Sequence, residues 1–179
     1  MIRSFIAIEI SSKAKEKIFE IEQSLLKTSA RLSVVDPENS HITLKFIGDV
    51  DNKQLDSVKK FLSQTCFSPY TINLKGLSLN SQKSPRVIWI NGYDEGESSK
   101  LASIIEEGLL PVGIKKETRP FKIHATVARI KSWDTSAAPV IKSYADEFIS
   151  ELKVSGFKLK KSTLTPKGPV YEDLMEVTF

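Results

Sequence analysis

The sequence predicts a bilobal α+β fold: two pseudo-twofold-related lobes, each with an antiparallel sheet and outer helices, whose central strands face a common cleft. Three observations predict it. Helical and strand periodicities alternate along 179 residues that are 40% hydrophobic, enough to fill a core at this length. One shift of 83 positions lays His41 on His124, Thr43 on Thr126, the helix near 51–66 on 134–149 and the strand near 87 on 170. The two His, the only ones in the chain, each begin a β-favouring run of His, apolar, Thr, apolar. We read 1–179 as one two-lobed domain.

The elements follow in order. Residues 2–10 read as an apolar, buried strand, too short for a membrane span, and no membrane association is expected. Ser11 or Ser12 caps a helix whose apolar stripe is Ala14, Ile18, Ile21 and Leu25. A short strand at 32–35 and a turn at Asp36-Pro37-Glu38-Asn39 lead into the strand 41–47, with Gly48-Asp49 as its stop. Leu55, Val58, Phe61 and Leu62 mark a second helix; 70–79 and 86–90 are strands separated by the turn at 81–85. A helix near 98–110, the strand 124–130, a helix near 135–148 and strands near 152–164 and 170–179 complete the order.

Composition narrows the chemistry. A single Cys66 cannot form an internal disulfide, fits a reducing cytoplasm, and is expected to be a small buried hydrophobe. A net charge of +4 and a pI near 9.0 permit a polyanionic partner such as RNA without demonstrating one.

The motifs His41-Ile42-Thr43-Leu44 and His124-Ala125-Thr126-Val127 are the most informative feature. With ten Thr in the chain, the chance that both His carry Thr two places on is about 0.003, so the repeat is not read as coincidence. On a strand, residues i and i+2 share a face, so each imidazole has a hydroxyl beside it while the intervening apolar residues pack behind. Two imidazoles approaching a substrate from opposite sides suit in-line displacement at phosphorus, one deprotonating a water and the other protonating the departing oxygen. The Thr hydroxyls would hold the non-bridging oxygens. A zinc site would need third and fourth ligands, and neither His has Cys, Asp, Glu or His at ligand spacing. A structural pair of core His is the bland alternative; a nucleophile elbow and glycine-rich phosphate loops are absent from the sequence.

These residues resemble the two-histidine phosphoesterases, and specifically the RNA 2',3'-cyclic phosphodiesterases, also known as RNA 2'-5' ligases. The likeness runs through Arg3 to Glu9, Pro37 to Gly48, Pro85 to Trp89, Arg119 to Arg129 and Ser162 to Tyr171. Ala125 and Val127 replace bulkier residues usual in the second motif. The resemblance implies a cofactor-free and metal-free hydrolysis of RNA 2',3'-cyclic phosphate ends to 2'-phosphate, with weak reversible 2'-5' joining, tRNA halves among the partners, and a monomeric cytoplasmic enzyme. By that likeness His41 is the proton donor and His124 the proton acceptor, roles that the symmetric motifs alone do not assign. Thr43, Thr126 and Arg129 map to phosphate binding, although strict alternation puts Arg129 on the face opposite His124. Lys45, on the His41 face by alternation, and Arg119 and Phe121, in an extended loop, are candidate RNA contacts. Lys158, Lys160 and Lys161 are read as the solvated face of an outer strand. The alternatives are a phosphodiesterase for a small cyclic nucleotide such as ADP-ribose 1'',2''-cyclic phosphate, and a non-catalytic RNA-end-binding module.

Overall fold

In the computed structural model, which describes residues 1–166 and 168–179, nine strands join in one antiparallel sheet carrying four α-helices. Lys167, in the C-terminal block of the resemblance, lies outside the described residues. The strands are β1 (Ile2–Glu9), β2 (Arg31–Val34), β3 (His41–Val50), β4 (Tyr70–Leu79), β5 (Val87–Tyr93), β6 (His124–Ser132), β7 (Phe148–Val154), β8 (Gly156–Thr165) and β9 (Gly168–Thr178). The helices are α1 (Ser12–Leu25), α2 (Asn52–Leu62), α3 (Glu97–Leu109) and α4 (Ala137–Ser143). The sheet order is β7-β4-β5-β6-β3-β1-β8-β9, with β2 added on β6. Counted outward from the β3/β6 seam, the lobes are therefore β3-β1-β8-β9 and β6-β5-β4-β7. The seam itself is thin: Ile42 paired with Ala125.

Local chemistry explains the elements. The Ser11 hydroxyl accepts from the Ala14 N–H at 3.2 Å and starts α1, whose stripe Ala14, Ile18, Ile21 and Leu25 is wholly buried. Truncating Ile18 to Ala there costs about 2 to 5 kcal/mol. Asp51 caps α2 in the same way, accepting from the Gln54 N–H at 2.8 Å. A Cβ on Gly108 would collide with the Phe61 ring, so glycine lets α2 and α3 meet. The helices cross over: α1 packs on β6 and β7 of the far lobe, and α3 on β3.

The structure departs from the sequence reading at several points. Gly48-Asp49 does not stop β3; Gly48, at φ +84°, pairs with Ser4 across an irregularity and the strand continues to Val50. The last helix is shorter than 135–148, ending at Ser143. The strand near 152–164 is two strands, β7 and β8, because the chain passes at Ser155 from one edge of the sheet to a strand inside the other edge. The strand near 87 also does not match that near 170: β5 lies beside β6 as β1 lies beside β3, whereas β9 is an outer edge. A sequence shift registers order along the chain, and the sheet is ordered by pairing. Cys66 is exposed rather than buried, since it falls in the connection after α2.

Candidate active site

Both motifs open a strand immediately after an irregular segment, and the same local bond fixes both rings. His41 Nδ1 lies 2.7 Å from the Asn39 carbonyl and His124 Nδ1 lies 2.9 Å from the Lys122 carbonyl. A carbonyl can only accept, so Nδ1 carries the proton and Nε2 is the nitrogen left for chemistry in each ring. The Asn39 turn is itself held by Asp36, whose carboxylate accepts from the Glu38 N–H at 3.0 Å.

The antiparallel pairing of Ile42 with Ala125 sets His41 opposite Thr126 and Thr43 opposite His124, all four on the face away from the buried Ile42 and Ala125. Neither threonine hydroxyl has a hydrogen-bond partner among the described residues. Aromatic rings back each imidazole: Phe5 at 4.8 Å and Tyr171 at 5.4 Å for His41, Trp89 at 4.5 Å for His124. Burial lowers the pKa of His41 below its ordinary value; the Asn39 bond opposes this, while Lys160, His124 and Arg129 push it down further. Burial likewise lowers that of His124, with Lys122 adding to the effect and its carbonyl opposing it.

Arg129 reaches this face because β6 is bulged. Register slips between Ile88 and Trp89, so that Val127 and Ala128 are both buried and alternation resumes one residue later with Arg129 exposed. The bulge resolves the objection from strict alternation. Its counterpart in β3 falls at Leu44 and Lys45. Here the sequence reading needs correction, because the bulge turns Lys45 away from the His41 face. Lys45 is 2% exposed, its ammonium 3.0 Å from Glu106 and donating to the Lys115 carbonyl at 2.6 Å. The exposed side chain in that place is Phe46, near Phe5. Phe121 is half-buried against the core and Arg119 is exposed in the loop before it.

The reading missed Phe46, Trp89, Tyr171 and Lys160. Tyr171 and Lys160 are remote in sequence and arrive only through the β1-β8-β9 pairing. Lys158 and Lys160 are not a solvated face: both ammoniums bridge Glu9 and Asp173 at 2.6–2.9 Å, and Glu9, Lys160 and Asp173 wall a pocket of about 330 Å³ beside His41. Only Lys161 keeps an outer position, paired with Glu172 at 3.0 Å. Among the described residues no group of three or more His, Cys, Asp or Glu could hold a metal ion, and no helix is long and apolar enough to cross a membrane.

Comparison with known proteins agrees with this duplicated geometry. The profile of the LigT-like phosphoesterases matches twice, over residues 8–89 and 94–171, once for each His-Thr motif. The chain belongs to that family. An RNA 2',3'-cyclic phosphodiesterase from Archaeoglobus fulgidus is 37% identical, covering 97% of this chain and 98% of its own. One of the same name from Methanocaldococcus jannaschii is 34% identical over 98% of this chain and 99% of its own. Among solved structures, a Thermus thermophilus protein superposes with a TM-score of 0.83 at 25% identity, covering 98% of this chain and 97% of that one. Escherichia coli LigT complexed with 3'-AMP shares the fold, with a TM-score of 0.83 at 21% identity over 99% and 97% of the two chains. LigT-like relatives thus share the fold of this chain.

Proposed function

We propose that the protein hydrolyses RNA 2',3'-cyclic phosphate ends to 2'-phosphate, with His41 as general acid and His124 as general base. The observation that carries this reading is the pair of equivalent imidazoles, each with Nδ1 committed to a backbone carbonyl, opposed across one seam with two threonine hydroxyls that have no partner among the described residues. His124 Nε2 takes a proton from water, which attacks phosphorus in line with the P–O3' bond. As that bond breaks, His41 Nε2–H protonates O3', leaving phosphate on O2'. Thr43, Thr126 and Arg129 hold the non-bridging oxygens as charge builds on them. The residues of this chain account for every proton in that step.

The names of the curated relatives support RNA as the substrate. If an RNA 5'-hydroxyl takes the place of water, the same step forms a 2'-5' linkage and its reverse cleaves one, which would join tRNA halves. Both histidines come from one chain, so a monomer suffices. The test is an oligoribonucleotide ending in a 2',3'-cyclic phosphate, incubated with EDTA across about pH 5 to 9. A bell-shaped profile yielding 2'-phosphate is expected. No turnover, a 3'-phosphate product, or turnover only with added metal overturns the reading.

A further inference from the structure

The shift of 83 that relates the motifs also lays β2, residues 31–34, on residues 114–117, and here the two halves part company. β2 closes the free edge of β6: Leu32, Ser33 and Val34 pair with Ile130, Arg129 and Ala128, and the Val35 N–H donates to the Val127 carbonyl at 2.9 Å. Residues 114–117 form no strand, and among the described residues no backbone hydrogen bond joins them to β3. Side chains fix them instead. Lys45 donates to the Lys115 carbonyl, the Glu117 N–H donates to Glu106 at 2.6 Å, and Ile114 is buried. The far half of β3 therefore keeps an open edge, and a groove of about 510 Å³ runs between it and this segment.

Two aromatic rings link the groove to the active site. Phe46 lines it, its ring centroid 6.4 Å from that of Phe5, which in turn lies 4.8 Å from the His41 ring. From Phe46 the groove runs on along Ile47 to Val50, the end of β3 farther from His41, beyond the place of a nucleotide held there. On the outer wall, Lys115 and Lys116 are exposed, and among the described residues neither ammonium has a carboxylate partner. Two carboxylates also line the groove. Glu117 lies 4.0 Å from the Lys45 ammonium, and Asp49, on β3, is an acceptor suited to a ribose hydroxyl or an exocyclic amine rather than a phosphate.

We propose that this groove binds the one or two nucleotides preceding the cyclic-phosphate end, Lys115 and Lys116 contacting their phosphodiesters, and so makes the enzyme prefer RNA ends to cyclic mononucleotides. The proposal rests on the cyclic phosphodiesterase reading for its chemistry, and on the open β3 edge for its place. It is tested with 5'-labelled oligoribonucleotides of one to four residues ending in 2'-phosphate, by fluorescence anisotropy at several salt concentrations. Affinity should rise with length by tenfold or more. The variant Lys115→Ala/Lys116→Ala should lose most of that gain, with the slope of log K against log salt falling by roughly 0.7 per phosphate contact removed. The variant Lys142→Ala, on α4 and away from the groove, should keep it. Length-independent affinity, or equal losses in both variants, overturns the proposal. Turnover separates the two claims. The ratio of kcat/KM for a cyclic-ended tetranucleotide to that for the cyclic mononucleotide should fall in the double variant. If neither substrate turns over but length-dependent binding still requires Lys115 and Lys116, the proposed reaction fails and the groove stands.

Discussion

Beside His41 the neighbouring strand places Glu9; beside His124, in the equivalent register, it places Asn91. Glu9 belongs to the charged quartet with Lys158, Lys160 and Asp173. Asn91 sits in a neutral web, accepting from the Trp89 indole and the Ser78 hydroxyl, both at 3.1 Å, and donating to the Gly76 carbonyl at 3.0 Å. The bulge positions differ in the same manner, Lys45 and Phe46 in one half against Ala128 and Arg129 in the other. One backbone plan thus presents two chemistries. A duplicated frame gives equal geometry to both imidazoles, and the unlike neighbours are what can divide acid from base.

The largest test of that division removes either ring. His41→Ala and His124→Ala should each lower kcat by about 10² to 10⁴ with the fold retained by circular dichroism. The pH dependence then tells them apart. A general acid must hold its proton, so the alkaline limb of kcat/KM reports His41; a general base must be free of its proton, so the acidic limb reports His124. Burial lowers both pKa values, so the optimum of the free enzyme should lie on the acid side of the ordinary imidazole value near 6.5, with apparent pKa values that belong to the pair. An optimum well above neutrality would remove the acid–base assignment.

The buried bulge residue is next. Lys45→Ala should destabilise the fold by about 3 to 5 kcal/mol in a denaturant titration, because it strands the Glu106 carboxylate. Lys45→Met with Glu106→Gln should recover most of the loss, since the amide oxygen can still accept from the Glu117 N–H. If Lys45→Ala instead kept its stability and lost RNA affinity, Lys45 would belong in the site after all.

A smaller effect separates the exposed bulge residues. Arg129→Ala should reduce kcat by about 10² to 10³, as loss of a preorganised charge at the phosphoryl oxygens does. Phe46→Ala should act on KM, by the roughly 1 to 3 kcal/mol of a base stacked on an aromatic ring. Equal kcat losses in both would mean that the two halves hold the phosphate symmetrically.

The smallest concerns the quartet. Glu9→Gln leaves Lys160 less neutralised beside His41 and should move the alkaline limb toward lower pH, leaving the acidic limb in place. Its cost in stability should stay within about 1 kcal/mol, because these ion pairs are partly exposed. A shift of the acidic limb alone would transfer the role of acid to His124.

The sequence by itself determined the repeated His-x-Thr pattern, the order of most helices and strands and the apolar stripe of α1, since periodicity and caps are local properties of the chain. It also marked both imidazoles and both hydroxyls as facing one way, because i and i+2 on a strand always do. Tertiary structure decided the rest. A bulge inserts one residue with no mark in the sequence, and from that point every side chain changes face, which buried Lys45 and brought Phe46 and Arg129 to the cleft. Sheet pairing between distant segments made the Glu9–Lys160 contact across 151 positions and set Tyr171 against His41. Whether the segment after a helix closes a strand edge, as β2 does, or leaves a groove, as residues 114–117 do, depended on the buried Lys45–Glu106 pair that holds the second segment in place. Such contacts form only after the chain has folded, and no local pattern encodes them.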